Sequence, residues 1–110
     1  MNVDAFNPKA FEALWPTMPA ETMEMFFGKG LNPDGLESKT RLLLTLAALT
    51  VLGAQAEAQI RLTVRHLVEA GASRQEIAET IAQMGVFAGV PAMTKAMELA
   101  NEVLEKDDAQ

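Results

Sequence analysis

Cysteine and tyrosine are missing from this 110-residue chain, and histidine occurs once, at His66. Without a thiol there can be no disulfide, thiolate-bound zinc, iron–sulfur cluster or cysteine nucleophile. Such a composition is compatible with a reducing cytoplasm, the location expected for it. A lone His66 also argues against a metal centre, because it would need three carboxylate or amide partners and none stands at a recognisable ligand spacing. Serine is nearly as scarce. Ser38 and Ser73 both fall at expected helix starts, where capping accounts for them, and no nucleophile elbow surrounds either one. The segment Gly85-Val86-Phe87-Ala88-Gly89-Val90 interrupts a helix and follows no strand, so it is not a phosphate loop. No metal and no cofactor are expected.

Positive charge is in short supply too, with 9 Lys and Arg against 15 Asp and Glu and a net charge of -6. Binding a phosphate backbone needs clustered basic residues, so nucleic acid is excluded as an expected partner. The most apolar stretch, Leu42 to Leu52, falls well short of the roughly 20 residues that span a bilayer. The start, Met1-Asn2-Val3-Asp4, has no basic region leading into an apolar run, so no signal peptide is expected, and with the apolar stretch so short no membrane partner is expected.

What the chain does have is apolar bulk: 49% of its residues are hydrophobic. A chain this short buries only about two-thirds of the surface its unfolded form exposes. Part of that bulk is therefore expected in a subunit interface. Residues 1–36 carry Phe6, Phe11, Trp15, Phe26 and Phe27 together with most of the prolines, and read as an N-terminal helical arm and loop of the same domain. Asn7-Pro8 looks like a cap followed by proline in the first turn, predicting a helix over Pro8–Trp15, and a second is predicted over Ala20–Phe27. The arm's aromatics read either as a cover for the core or a neighbouring subunit, or as a platform for a ligand.

From residue 37 to about 105 the pattern is helical throughout. Ser38 to Leu52 is apolar nearly all round, and a helix without a polar face must be surrounded. One small domain offers little to surround it, which predicts self-association. The next helix, about Gln55 to Ala70, has the core stripe Ile60, Val64 and Leu67, with Gly71 at its end. Ser73-Arg74-Gln75-Glu76 is a capping box, and Ile77, Ile81, Met84 and Ala88 form the stripe of the helix it opens. Gly89-Val90-Pro91 predicts a break, then a last helix over about Ala92–Leu104 and a frayed acidic tail, residues 106–110. With no strand-length alternation, the fold class is all-α with about six helices.

The polar residues offer one candidate site. At 100° per residue, Gln59, Thr63 and His66 fall side by side along the core stripe of their helix. They border a pocket between helices or simply form a solvated edge, where Glu57, Arg61, Arg65 and Glu69 stand at ion-pair spacing. His66 titrates near neutral pH and is the natural acid or base.

Several stretches carry a resemblance. They are Lys39-Thr40-Arg41 through Leu52-Gly53, then Ala58-Gln59-Ile60-Arg61, Glu69-Ala70-Gly71-Ala72-Ser73-Arg74-Gln75-Glu76-Ile77, and Gln83-Met84-Gly85-Val86-Phe87-Ala88-Gly89-Val90-Pro91-Ala92. In that order and spacing they resemble the carboxymuconolactone decarboxylase family, of alkylhydroperoxidase-like fold, over roughly residues 37–105. The last piece is closer to the lactone decarboxylase branch. The resemblance implies an all-α subunit assembling into homo-trimers or hexamers. Peroxidase members carry a Cys-x-x-Cys pair, a histidine and a glutamate. Those positions fall here on Ala56 and Gln59, on Thr63, and on Leu42. Thiol peroxidase chemistry is therefore excluded. Decarboxylase members lack the cysteines but usually keep the histidine, which is Thr63 here, with His66 one turn later as a stand-in.

Three functions follow as expectations. One is a cofactor-free lyase that decarboxylates a small carboxylated lactone in aromatic-compound catabolism. In it, Arg41 or Arg61 orients the carboxylate, Thr63 or Gln59 hydrogen-bonds the lactone carbonyl, and His66 donates a proton. The second is a non-catalytic homo-oligomer, structural or binding a small anion. The third is another reaction on the same scaffold, such as isomerisation or hydrolysis.

Overall fold

The computed structural model describes Ala10 and residues 17–108. Five helices follow one another among the described residues, without a strand: α1 Ala20–Phe27, α2 Ser38–Val51, α3 Glu57–Glu69, α4 Arg74–Ala88 and α5 Val90–Asp108. The helix predicted over Pro8–Trp15 lies, apart from Ala10, outside the described residues. Helices α2 to α5 form the body: α2 and α5 each pack against both α3 and α4, while α1 lies along α2.

The core sits where the apolar stripes meet. Ile60, Val64 and Leu67 of α3 are fully buried, as their three- and four-residue spacing predicts, and face Leu46 of α2, Ile77 and Ile81 of α4, and Ala96, Leu99 and Ala100 of α5. Met84 and Ala88, predicted to continue the α4 stripe, are only half-buried. Thr50 is a polar residue in this core, and it keeps its hydroxyl satisfied by donating to the Leu46 carbonyl at 2.9 Å. Helix α2 is not covered by the chain: Leu44 and Val51, and Leu52 just beyond it, remain exposed.

Local signals set the helix ends. At the end of α3, Gly71 has φ +90°, and its amide donates to the Val68 carbonyl while that of Ala72 donates to Leu67. This is a Schellman motif, closing carbonyls that the helix would otherwise leave open. Helix α4 opens on the complete capping box: the Glu76 amide donates to Ser73 Oγ at 3.0 Å, and the Ser73 amide to Glu76 Oε1 at 2.9 Å.

The last helix differs from the sequence expectation at both ends. It starts at Val90 rather than Ala92, because Pro91 falls in the first turn, where its missing N–H leaves no bond unmade. The break narrows to Gly89 alone. The helix also runs to Asp108, taking in residues 106–108 of the tail expected to fray. Arg74, at the start of α4, donates to the Leu104 carbonyl at 2.9 Å and forms an ion pair with Asp108, so it holds the final turns from outside the helix.

Helix α1 is tied to the body by one carboxylate. Glu24 accepts from the Lys29 amide at 2.6 Å, the Ser38 amide at 3.1 Å and the Ser38 hydroxyl at 3.0 Å. These bonds, that from Lys29 foremost, hold the Glu24 carboxyl below the usual carboxylate range. Gly28 lies against this clasp so closely that a side chain there would collide with the Glu24 carboxylate and the Ser38 backbone.

Candidate functional site

A cavity of about 410 Å³ opens between α1 with its following loop, α2 and α3. Four of its residues come from one face of α2: Ser38, Arg41, Leu42 and Thr45, at the i, i+3, i+4, i+7 spacing of a helical stripe. The arm supplies Met18, Met23, Phe27 and Leu31, and α3 supplies His66. The volume lies within the range of small-molecule sites.

Arg41 enters this cavity only partly committed. Its Nε donates to the Leu36 carbonyl at 3.1 Å, and among the described residues no carboxylate lies within ion-pair distance of it. Among the described residues the two terminal amino groups thus have no protein acceptor, which suits recognition of a planar anion. His66 is half-buried and its ring has no hydrogen-bond partner among the described residues. Burial, and then the neighbouring positive charge of Arg65, push its pKa below the ordinary histidine value, so the neutral ring dominates at neutral pH.

The two hydroxyls at the site have their hydrogens in use. Ser38 donates to Glu24, and Thr45 donates to the Arg41 carbonyl at 2.9 Å. Toward the cavity they can act only as acceptors.

Of the five residues singled out from the sequence, the structure brings Arg41 and His66 to this cavity and holds the other three elsewhere. Arg61 lies between two carboxylates, 3.6 Å from Glu57 and 3.8 Å from Glu102, with only 12% of its side chain exposed. Lys95 joins them at 3.1 Å from Glu57, and together with Arg61 it lowers the Glu57 pKa. That network ties α3 to α5. Thr63 is buried against the core, donating its hydroxyl to the Gln59 carbonyl at 2.7 Å, while Gln59 itself is exposed. The expected polar strip is therefore split: Gln59 faces outward, Thr63 inward, and His66 the cavity.

The residues not anticipated are those of the arm and of the outer face of α2. The aromatic richness of residues 1–36 was a signal for part of this wall, and Phe27 is the described aromatic that lines it. Leu42, the position at which the peroxidase pattern has its glutamate, also lines the cavity. Among the described residues no three His, Cys, Asp or Glu side chains cluster so as to hold a metal ion, and no helix is long and apolar enough to cross a membrane.

Comparison with known proteins gives consistent results. A protein of Paracoccus denitrificans, described as an uncharacterized 15.0 kDa protein in the nqo9-nqo10 intergenic region, is 53% identical over 108 residues, which is 98% of this chain and 81% of that protein. The 4-carboxymuconolactone decarboxylase of Acinetobacter baylyi is 34% identical over 79 residues, covering 72% of this chain and 58% of the enzyme. The sequence profile of the carboxymuconolactone decarboxylase family matches residues 16–102, from the arm through most of α5. With the all-helical body and its cavity, that match shows that the chain belongs to the carboxymuconolactone decarboxylase family.

Proposed function

We propose that this chain is a cofactor-free lyase that removes carbon dioxide from a small carboxylated lactone. The observation that carries the reading is that Arg41 of α2 and His66 of α3, on separate helices, line one cavity. Arg41 holds the substrate's carboxylate in place. The C–CO₂ bond breaks, its electron pair passes through the ring's unsaturation onto the lactone carbonyl, and CO₂ departs. A proton from His66 then reaches carbon and completes the product. The neutral ring of the free protein gains that proton more readily once an anionic substrate lies beside it.

The test is turnover of a carboxylated butenolide, followed by CO₂ release and loss of the lactone chromophore. Arg41→Gln and His66→Ala should each reduce the rate at least a hundredfold, in line with the loss of an acid–base or charge-stabilising group. Their melting temperature and assembly should stay close to those of the parent. Absence of turnover by the parent protein would refute the reading.

A second reading, a non-catalytic small-molecule-binding homo-oligomer, is favoured by one observation: no protein group among those described orients the His66 ring. It predicts ligand binding without turnover. Both readings include a homo-trimer or hexamer in the cytoplasm, with the exposed apolar residues of α2 and of the α4–α5 junction meeting other copies.

A further inference from the structure

We infer that the cavity selects a monocarboxylate with an apolar body, up to an alkyl or aryl acid of roughly a dozen heavy atoms, over a doubly charged acid. The inference rests on the cavity being the ligand site, as proposed above, and adds the class of molecule it admits.

The charge pattern limits the ligand to one anionic group. Arg41 is the only cationic side chain among the described residues lining the cavity, and its Nε is already held by Leu36. The hydroxyls of Ser38 and Thr45 have given their hydrogens to Glu24 and to the Arg41 carbonyl, so each turns lone pairs toward the interior. A second carboxylate would meet those lone pairs, with the Glu24 carboxylate 3.0 Å behind Ser38 Oγ adding like charge. The remaining donor is His66, which can bond the same head group or a neighbouring carbonyl but leaves a second anion uncompensated.

The walls determine the rest of the molecule. Met23 and Leu42 line the interior and Phe27 and Leu31 its edge, so an apolar body has something to bury against while a hydroxylated one loses its water bonds. Met23 adds a flexible thioether that adapts to different shapes. At about 30 Å³ per water-sized atom, 410 Å³ corresponds to roughly a dozen or slightly more heavy atoms.

Titration calorimetry on the full chain near neutral pH tests this with butanoate, hexanoate, octanoate, decanoate and dodecanoate. Octanedioate, octanamide and 5-oxo-2,5-dihydrofuran-2-carboxylate serve as counter-probes. Affinity should rise by up to about fourfold per added methylene and level off near decanoate. Octanedioate should bind at least tenfold more weakly than octanoate. Arg41→Gln should lose at least tenfold for octanoate while leaving octanamide unchanged, and Phe27→Ser, at a half-exposed position that the fold tolerates, should weaken decanoate more than butanoate. A flat response along the series, or octanedioate binding as well as octanoate, overturns the inference. The two readings fail separately. If the compact lactone acid is turned over while alkyl acids neither bind nor compete, the selectivity fails and the decarboxylase reading survives. If alkyl acids bind with the stepwise gain and no carboxylated lactone is turned over, the selectivity holds and the decarboxylase reading falls.

Discussion

The Glu24 carboxylate accepts hydrogen bonds from both the backbone amide and the hydroxyl of Ser38, fourteen residues away. Through this contact α1 is fastened to the start of α2, and with it the arm that walls the cavity. Because the folded pKa of Glu24 is lowered, its contribution is fully present above the unfolded value of about 4.3 and is lost as pH falls through the folded value. Glu24→Ala should therefore lower the melting temperature at neutral pH and converge with the parent once acid has protonated the carboxylate. Hydrogen exchange should speed up at the Lys29 and Ser38 amides. Equal melting curves at neutral pH would contradict the clasp.

His66 also loses stability as pH falls, but for a different reason: burial disfavours its charged form. Its folded pKa is lowered, so below the unfolded value of about 6.5 the unfolded chain binds more protons and stability declines as pH falls toward the folded value. Above that range it contributes nothing to the pH dependence. His66→Ala should flatten the decline in stability below about pH 6.5, and an anionic ligand should bind more tightly to the parent as pH falls below the same value. Calorimetry across that range, compared with His66→Ala, checks both. An anion affinity independent of pH would remove His66 from the site.

The proposed assembly rests on what the described residues leave uncovered. Leu52, Val86, Phe87 and Val90 are each at least two-thirds exposed, a concentration of apolar surface uncommon on a stable monomer. Light scattering at micromolar concentration should give a trimer or hexamer of the 11.9 kDa chain. Leu52→Asp combined with Phe87→Asp should shift it toward monomer. A monomeric parent would end the proposal of self-association.

Two substitutions compare a core contact with a cap. Ile60→Ala removes a fully buried side chain from the meeting point of the stripes and should cost about 2–5 kcal/mol. Ser73→Ala removes one half of the capping box and should cost about 1 kcal/mol. Urea unfolding at a fixed protein concentration measures both, since the proposed assembly would link stability to concentration.

The features legible in the sequence were those written within a few neighbouring residues. The stripe of Ile60, Val64 and Leu67, the box of Ser73 and Glu76, and the turn at Gly71 each depend on residues no more than a turn or two apart, and the structure has all three. The misread end of α5 depends instead on Arg74 reaching Asp108 across 34 residues. The wall supplied by the arm depends on Glu24 reaching Ser38 across 14. No local window contains either pair. The strip of Gln59, Thr63 and His66 shows a related limit: angles around one helix place residues beside each other but do not say which neighbour each will meet. Arg41 and Arg61 look alike in the sequence. Only packing separates the one held between Glu57 and Glu102 from the one left to face the cavity.

The clasp between α1 and α2 also divides the molecule by how freely its parts can change. The residues that keep the body folded lie on α2 to α5, whereas Met18, Phe27 and Leu31, which shape the cavity, lie on the arm and outside the core cluster. Substitutions along residues 18–31 can therefore redraw what the cavity admits while the body keeps its fold and its Arg41–His66 pair. On the ligand site proposed above, a lineage carrying this architecture would diversify its ligands one arm residue at a time, provided Glu24 and Ser38 stay joined.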